Sequence, residues 1–167
     1  MEFLFYTLLV SSLSTVAASQ CPPTFQQNGT SCYKIMGILA SWIEAKQYCN
    51  VMGADLAVIE DAGEEKFLED ELRKIHGAGN VGPENYWIDG ADFMEKNVWR
   101  WMRNDGGSYF IKGYTNWAPG QPDDIGEHCL EIRYSFGIHW NNFNCFQKEN
   151  FICEVSAELD GGNSIIG

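Results

Sequence analysis

The chain is poor in basic residues and lacks the short motifs that mark many catalytic sites. Eleven Lys and Arg stand against 23 Asp and Glu, which gives a formal net charge of −12. This balance disfavours nucleic acid and anionic membranes as partners and suits cations, including calcium. The sequence contains no G-x-S-x-G, no H-E-x-x-H and no C-x-x-C. The first two absences argue against common hydrolases, and the third argues against a zinc site.

Long apolar runs are also scarce. The run "FLFYTLLV" at residues 3–10 is too short to cross a bilayer, and the small-residue stretch "STVAASQ" follows it. This pattern predicts a signal peptide over residues 1–19 with cleavage near Ala18 or Ser19, although Glu2 stands where Lys or Arg is usual. The alternative is a buried N-terminal strand. No later segment suits a transmembrane helix, so we expect a secreted, extracellular protein.

The cysteines support this compartment. All of them follow the predicted cleavage site: Cys21, Cys32, Cys49, Cys129, Cys145 and Cys153. An even number in a secreted chain predicts three disulfides, although spacing alone leaves the pairing open. With every thiol bridged, no cysteine nucleophile remains, and we predict that the chain is not an enzyme. Asn28-Gly29-Thr30 forms a sequon for N-glycosylation at Asn28.

Two helices are predicted in the first half, after a hairpin at Asn28-Gly29. Ser41 and Glu44 form a capping box. The apolar face that follows consists of Trp42, Ala45, Tyr48 and Cys49. Asp61 and Glu64 begin the second helix, which ends near Gly77. Its apolar stripe consists of Phe67, Leu68, Leu72 and Ile75, and its acids, Glu64, Glu65, Glu69 and Asp70, are predicted to face solvent.

The second half reads as short strands around one long loop. The strand-like runs are "NYWIDGADF", "VWRWM", "CLEIRY", "IHWNNF" and "FICEV". A loop rich in Gly, Asn and Pro extends over residues 104–128, and such long loops are often functional. The chain is therefore predicted to be one α+β domain over residues 20–155, followed by a loose tail at 156–167.

Oxygen-bearing side chains gather in and after this loop. Gln121, Asp123 and Glu127 lie within it, and Asn141 and Asn142 follow in the next strand but one. Calcium takes six to eight oxygen ligands from carboxylates, amides, backbone carbonyls and water. A cis bond before Pro122 would let both of its neighbours point the same way. These five residues are therefore candidate calcium ligands.

The order of these motifs resembles the C-type lectin family. "CPPTF" opens the long form of the domain, "YWIDGAD" is similar to its "WIGL" strand, and "HWNN" stands at its "WND" strand. "NWAPGQPD" and "EHC" are similar to the sugar-binding loop, and "FICE" closes the domain. The stretch "GYTNWAPGQPDDIGEHCLEIR" is most similar to the perlucin-like lectins of molluscs.

The resemblance implies the fold and the cysteine pairing. It implies two helices, two small antiparallel sheets and a long calcium- and sugar-binding loop. The implied disulfides are Cys21–Cys32, Cys49–Cys153 and Cys129–Cys145. It also makes core residues of Trp87, Trp101, Trp117 and Trp140.

The resemblance further implies that one calcium ion is shared with a sugar. Gln121, Asp123, Glu127, Asn141 and Asn142 would bind both the ion and two sugar hydroxyls. An amide can donate a hydrogen bond and a carboxylate can only accept one, so their order sets the hydroxyl geometry that fits. Gln121-Pro122-Asp123 has the order of galactose-type members, whereas Glu-Pro-Asn goes with mannose-type members.

Three departures from the family pattern bear on affinity. Asn142 stands where Asp is usual, which removes one ligand charge and predicts weaker calcium binding. The loop before Glu127 is about two residues shorter than is typical. Asp124 and Ile125 replace a sugar-stacking Trp. The accessory calcium site retains Asp92 and Asp124 but has Lys96 and His128 at normally acidic positions.

The leading hypothesis is a secreted, calcium-dependent lectin that recognises galactose-type glycans, as in innate immunity. The first alternative is a matrix protein of a biomineral that docks on mineral or on a glycan scaffold. The second is a domain of this fold that has lost calcium and binds protein. The sequence is compatible with an oligomer. An acid–base role for His128 beside Glu127 is a fourth interpretation, but we favour His128 on a strand next to Cys129.

Overall fold

The computed structural model describes residues 19–77, 84–123 and 126–159. Nearly all of the predicted signal peptide, Asp124, Ile125 and the last eight residues lie outside these ranges. Within them, no helix is long and apolar enough to cross a membrane. The helices are α1 (Trp42–Val51) and α2 (Ala62–Gly77). The strands are β1 (Ser19–Gln20), β2 (Gln26–Asn28), β3 (Ser31–Ala40), β4 (Asp55–Leu56), β5 (Asn85–Ala91), β6 (Arg100–Met102), β7 (Ser108–Phe110), β8 (Cys129–Arg133), β9 (His139–Phe143), β10 (Glu149–Ser156) and β11 (Glu158–Leu159).

Helix α1 begins where the capping box predicted. The Glu44 carboxylate accepts hydrogen bonds from the backbone N and the Oγ of Ser41, both at 2.7 Å. Trp42, Ala45 and Cys49 are buried as expected. Tyr48 is not: it is 48% exposed, and its ring stacks on Phe151 with centroids 5.8 Å apart. The prediction for Tyr48 was wrong because its ring covers the edge of the core from outside.

Helix α2 follows Asp61, whose Oδ1 accepts hydrogen bonds from Gly63 N at 2.6 Å and Glu64 N at 3.0 Å. Leu68 and Leu72 are fully buried, while Phe67 and Ile75 are partly buried. The prediction that Glu65 faces solvent was wrong. Its exposure is 2%, because α2 turns this side chain onto the indole of Trp140.

In the described part of the chain, strands β2 to β10 form one branched, mixed sheet, and β1 and β11 form a separate antiparallel pair. β10 pairs antiparallel with β3 and β4 and parallel with β5. β5 also pairs with β6 and β8, and β8 pairs with β9. The predicted α+β class is confirmed, but the two expected antiparallel sheets are joined at β5 into one sheet, because β5 pairs in parallel with β10.

Strand pairing holds both ends of the domain. β2 and β3 form the predicted hairpin, in which Asn28 pairs with Ser31 and Gly29 has φ +60°. The predicted boundary at residue 155 falls inside β10, and β11 then pairs with β1. Ser156, Glu158 and Leu159 therefore lie in strands, with Ala157 between them, rather than in a loose tail.

Three disulfides join Cys21 to Cys32, Cys49 to Cys153 and Cys129 to Cys145. This is the pairing that the resemblance implied. The second bridge ties α1 to β10, and the third ties β8 to the segment after β9. Among the tryptophans expected in the core, Trp87, Trp101 and Trp140 are buried, whereas Trp117 is partly buried and packs against Trp140 with ring centroids 5.8 Å apart.

Candidate functional site

The backbone of Trp140 holds the long loop against β9. Trp140 N donates to Asn116 O, and Ala118 N donates to Trp140 O, both at 2.8 Å. These bonds make a parallel bridge between Trp117 and Trp140. The segment that leads into the predicted ligands is therefore an extension of the sheet and has a fixed register relative to Asn141 and Asn142.

A turn then directs Gln121. Gln121 N donates to Ala118 O at 2.9 Å, and Gly120, at the third turn position, has φ +86°. Pro followed by Gly at the two central positions is the signature of a type II turn, which requires a positive φ at the Gly. The Gln121–Pro122 bond is cis. The sequence explains both features locally.

Asn142 ties the two ends of the ligand loop together. Its Oδ1 accepts a hydrogen bond from Asp123 N at 3.2 Å, and its Nδ2 donates to Glu127 O at 3.2 Å. Nδ2 also lies 3.5 Å from Asp123 Oδ1. Asn142 is 1% exposed. The structure thus brings Asp123, Glu127 and Asn142 together, with the Asn142 amide engaged at both ends.

Asn141 is oriented by a buried acid. Its Nδ2 donates to Glu131 Oε1 at 2.8 Å, across the pairing of β8 with β9. Arg133 donates to the same oxygen from Nε at 2.8 Å. Because the NH₂ end of the Asn141 amide faces Glu131, its oxygen is turned away. Burial raises the pKa of Glu131, which is fully inaccessible, to about 7.

The acids of the loop repel one another. Partial burial raises the pKa of Glu127, and the nearby Asp123 carboxylate raises it further. A carboxylate pKa rises next to a like charge because ionising both groups is costly. A cation at this place would offset that repulsion.

The donor set suits a hard cation. The oxygens come from two carboxylates, Asp123 and Glu127, and three amides, and oxygen ligands of this kind are those that calcium takes. Gln121 Oε1 is buried and has no hydrogen-bond partner among the described residues. The same residues contain no group of three or more His, Cys, Asp or Glu arranged for a metal. The fit to calcium therefore depends on the amide oxygens.

At the accessory position, which the sequence leaves incomplete, protein contacts engage Asp92. Asp92 Oδ1 lies 2.8 Å from His128 Nδ1, and Asp92 Oδ2 accepts a hydrogen bond from Asn97 N at 2.8 Å. Asp124, its other predicted acid, lies outside the described residues. His128 itself precedes β8 rather than lying on it, because the strand begins at Cys129.

Three polar partners of β9 were not predicted. Asn116 O accepts a hydrogen bond from Trp140 N, Glu131 binds the Asn141 amide, and Glu65 binds the Trp140 indole on the opposite face of the strand. A signal was present for Glu131, which interrupts the apolar run "CLEI" and so stands out as a polar residue on a core strand. His139 lies on β9 with Nδ1 2.7 Å from Asn116 Oδ1, and His76 lies in the last turn of α2 beside Tyr86.

A two-helix α+β domain with three disulfides and a loop held against β9 is the architecture of a C-type lectin domain. The chain belongs to this family, since the Lectin C-type domain model matches residues 38–155. Domains of this family are in general not enzymes.

Named relatives agree with this assignment. Perlucin of Haliotis laevigata is 37% identical over 137 residues, which cover 80% of this chain and 82% of perlucin. The galactose-specific lectin nattectin of Thalassophryne nattereri is 32% identical over 139 residues, covering 82% of this chain and 81% of nattectin. The solved structure of C-type lectin CEL-I from Cucumaria echinata superposes with a TM-score of 0.71 at 26% identity, covering 83% of this chain and 99% of CEL-I. The lectin relatives support carbohydrate binding.

Proposed function

We propose that this protein is a secreted lectin that binds galactose-type sugars through one calcium ion. Gln121, Asp123, Glu127, Asn141 and Asn142 would hold the ion and contact the sugar. The observation that carries the proposal is the buried Oε1 of Gln121, which has no hydrogen-bond partner within the described part of the chain and lies beside a loop whose two ends Asn142 binds. A buried polar atom without a partner is costly, so a ligand that accepts its lone pairs is favoured.

The chain's own residues support the proposed sugar preference. Bound calcium would present coordination positions that two neighbouring sugar hydroxyls can take. Around those positions the Gln121 amide can donate a hydrogen bond from its NH₂ group, and the Asp123 and Glu127 carboxylates can accept one. The order amide, proline, acid along residues 121–123 then favours the hydroxyl arrangement of galactose. Recognition of foreign or self glycans is the role we assign to this site.

The disulfides and the N-terminal apolar run support secretion. Three disulfides persist in oxidising compartments and are rare in the cytosol. The apolar run at residues 3–10 fits a signal peptide. The domain is proposed to extend from residue 20 to the end of β11.

The test is retention on galactose resin in calcium, followed by elution with a chelator. The matched variant exchanges Gln121→Glu with Asp123→Asn, which keeps the oxygen ligands but reverses the order of amide and acid. We expect the unmodified protein to be retained on galactose and the variant to move to mannose resin. Retention that ignores the chelator, or an absence of retention on either resin, contradicts the proposal.

A calcium-free domain that binds protein is the second candidate. It is favoured by the Asn142 bonds, which close the loop through protein atoms alone. Thermal unfolding with calcium and with chelator separates the two candidates. The lectin proposal expects a higher Tm in calcium, because a ligand that binds only the folded state stabilises it. An unchanged Tm favours the second candidate.

A further inference from the structure

Two buried glutamates flank β9 on opposite faces. Successive side chains of a strand point to opposite sides, so Trp140 and Asn141 face different neighbours. Trp140 Nε1 donates to Glu65 Oε2, and Asn141 Nδ2 donates to Glu131 Oε1, both at 2.8 Å. Only the second contact involves a predicted calcium ligand.

We propose that Glu131 is a positioning residue, which fixes the Asn141 amide so that its oxygen faces the calcium site. The proposal rests on the proposed function for the identity of the ion. An asparagine amide can turn either its oxygen or its NH₂ group toward the ion. Asn141 cannot fix this orientation by itself, and Glu131 would fix it.

The contacts of Glu131 leave one orientation of the amide. Glu131 Oε1 receives hydrogen bonds from Arg133, so it acts there as an acceptor. An acceptor can be faced only by the NH₂ end of Asn141. Asn141 is 3% exposed and Glu131 is fully buried, so water cannot easily replace this contact. If the Asn141 amide were rotated by half a turn, its N–H groups would face the cation. The Glu131 carboxylate would then lose the hydrogen bond that Asn141 donates.

Stability alone does not explain an acid at this position. Glu131 Oε2 is buried without a hydrogen-bond partner among the described residues. Replacement of a buried ionic group by an apolar side chain of similar volume is often neutral or stabilising. A buried carboxylate that uses one oxygen for Arg133 and Asn141 is better explained by the orientation that it imposes.

The first experiment compares calcium affinities by titration calorimetry. Glu131→Met keeps bulk but removes the acceptor, while Glu131→Gln keeps an oxygen that can face Asn141. We expect Glu131→Met to weaken calcium binding about 10- to 100-fold, the usual effect of losing a group that orients a ligand. Glu131→Gln should stay close to the unmodified protein. The matched control is Glu65→Met, which removes an equally buried acid on the other face of β9 and should leave calcium affinity unchanged.

The second experiment exchanges the hydrogen-bond donor and acceptor between residues 141 and 131. Asn141→Asp adds a charged ligand, which by charge count alone should tighten calcium binding. If Glu131 positions residue 141, the two carboxylates repel and Asn141→Asp weakens binding by about tenfold. Adding Glu131→Gln should then restore it, because the new amide donates to the aspartate. Tighter binding by Asn141→Asp alone, or the absence of rescue, overturns the proposal, and this test holds even when Glu131→Met does not fold.

A measurement without calcium separates this inference from the proposed function. In ¹⁵N-labelled protein, the Asn141 side-chain NH₂ signal should exchange slowly with water and should shift and exchange faster in Glu131→Met. An NH₂ signal that is the same in both proteins overturns the positioning role. Absence of calcium heat in the unmodified protein, together with the expected NH₂ change, refutes the calcium proposal and leaves the orientation by Glu131 intact.

Discussion

Glu65→Gln should make the stability of the folded protein less dependent on pH. Glu65 is 2% exposed and accepts a hydrogen bond from Trp140 Nε1 at 2.8 Å. Burial raises its pKa from 4.5 to about 7, although the Asn116 and Trp140 side chains favour the ionised form. Because the pKa is higher in the folded than in the unfolded state, the folded state binds the proton more tightly. The contribution of this group to stability is therefore full below pH 4.5 and is lost as the pH rises through about 7.

The size of the pKa shift of Glu65 sets the expected change in the free energy of unfolding. One pKa unit corresponds to about 1.4 kcal/mol, so the displacement of Glu65 amounts to about 3 kcal/mol between pH 4.5 and pH 8. Gln does not titrate, so it makes no pH-dependent contribution to the free energy of unfolding. The difference in unfolding free energy between the variant and the unmodified protein should therefore move by about 3 kcal/mol in favour of the variant over this range.

Urea unfolding at several pH values, followed by tryptophan fluorescence, measures this difference. Other buried acids, such as Glu131 and Asp89, titrate in both proteins and cancel in the comparison. Glu71→Gln is the control on the same helix, since Glu71 is paired with Lys74 near the surface. A difference for Glu65→Gln that stays constant from pH 4.5 to pH 8 would refute the assignment of a burial-shifted carboxyl to this position.

Three further predictions concern the loop and the scaffold. Asn142→Asp should tighten calcium binding in calorimetry, because it adds a ligand charge; an absence of calcium heat in both the variant and the unmodified protein would mean that the loop is not a metal site. Gly120→Ala should lower the unfolding free energy by about 1–2 kcal/mol, because φ +86° is strained for a residue with a Cβ, and a variant as stable as the original would contradict the turn. Joint replacement of Cys49 and Cys153 by Ser should cost about 4–5 kcal/mol in denaturant unfolding, since their bridge closes a separation of 104 residues; a loss below about 1 kcal/mol would show that the closed loop contributes little.

Local patterns predicted much of the fold because their causes are local. The capping box of Ser41 and Glu44 starts α1 through contacts between neighbours. The burial of Glu65 depends on Trp140, which lies 75 residues further along the chain. Periodicity alone marks such an acid as solvent-facing, because the indole N–H that makes its burial tolerable is not visible within the helix.

For the candidate site, the sequence indicated which residue types are present, but it did not indicate how their side chains are oriented. The Pro-Gly pair before Gln121 indicates the turn, and the structure has it. The sequence suggested Asn142 as a weakened ligand, whereas its amide also binds both ends of the loop. Which end of an amide faces which neighbour is decided by tertiary contacts, such as that between Glu131 and Asn141.

The pairing of β1 with β11 sets Ser19 beside Leu159. A purification tag or a self-associating stalk joined directly to Ser19 or to Leu159 would therefore start from the same edge of the domain. A stalk that gathers several copies would attach at the same edge of the domain whether it was joined at Ser19 or at Leu159. Multivalent versions for glycan arrays can be built from either terminus on this basis.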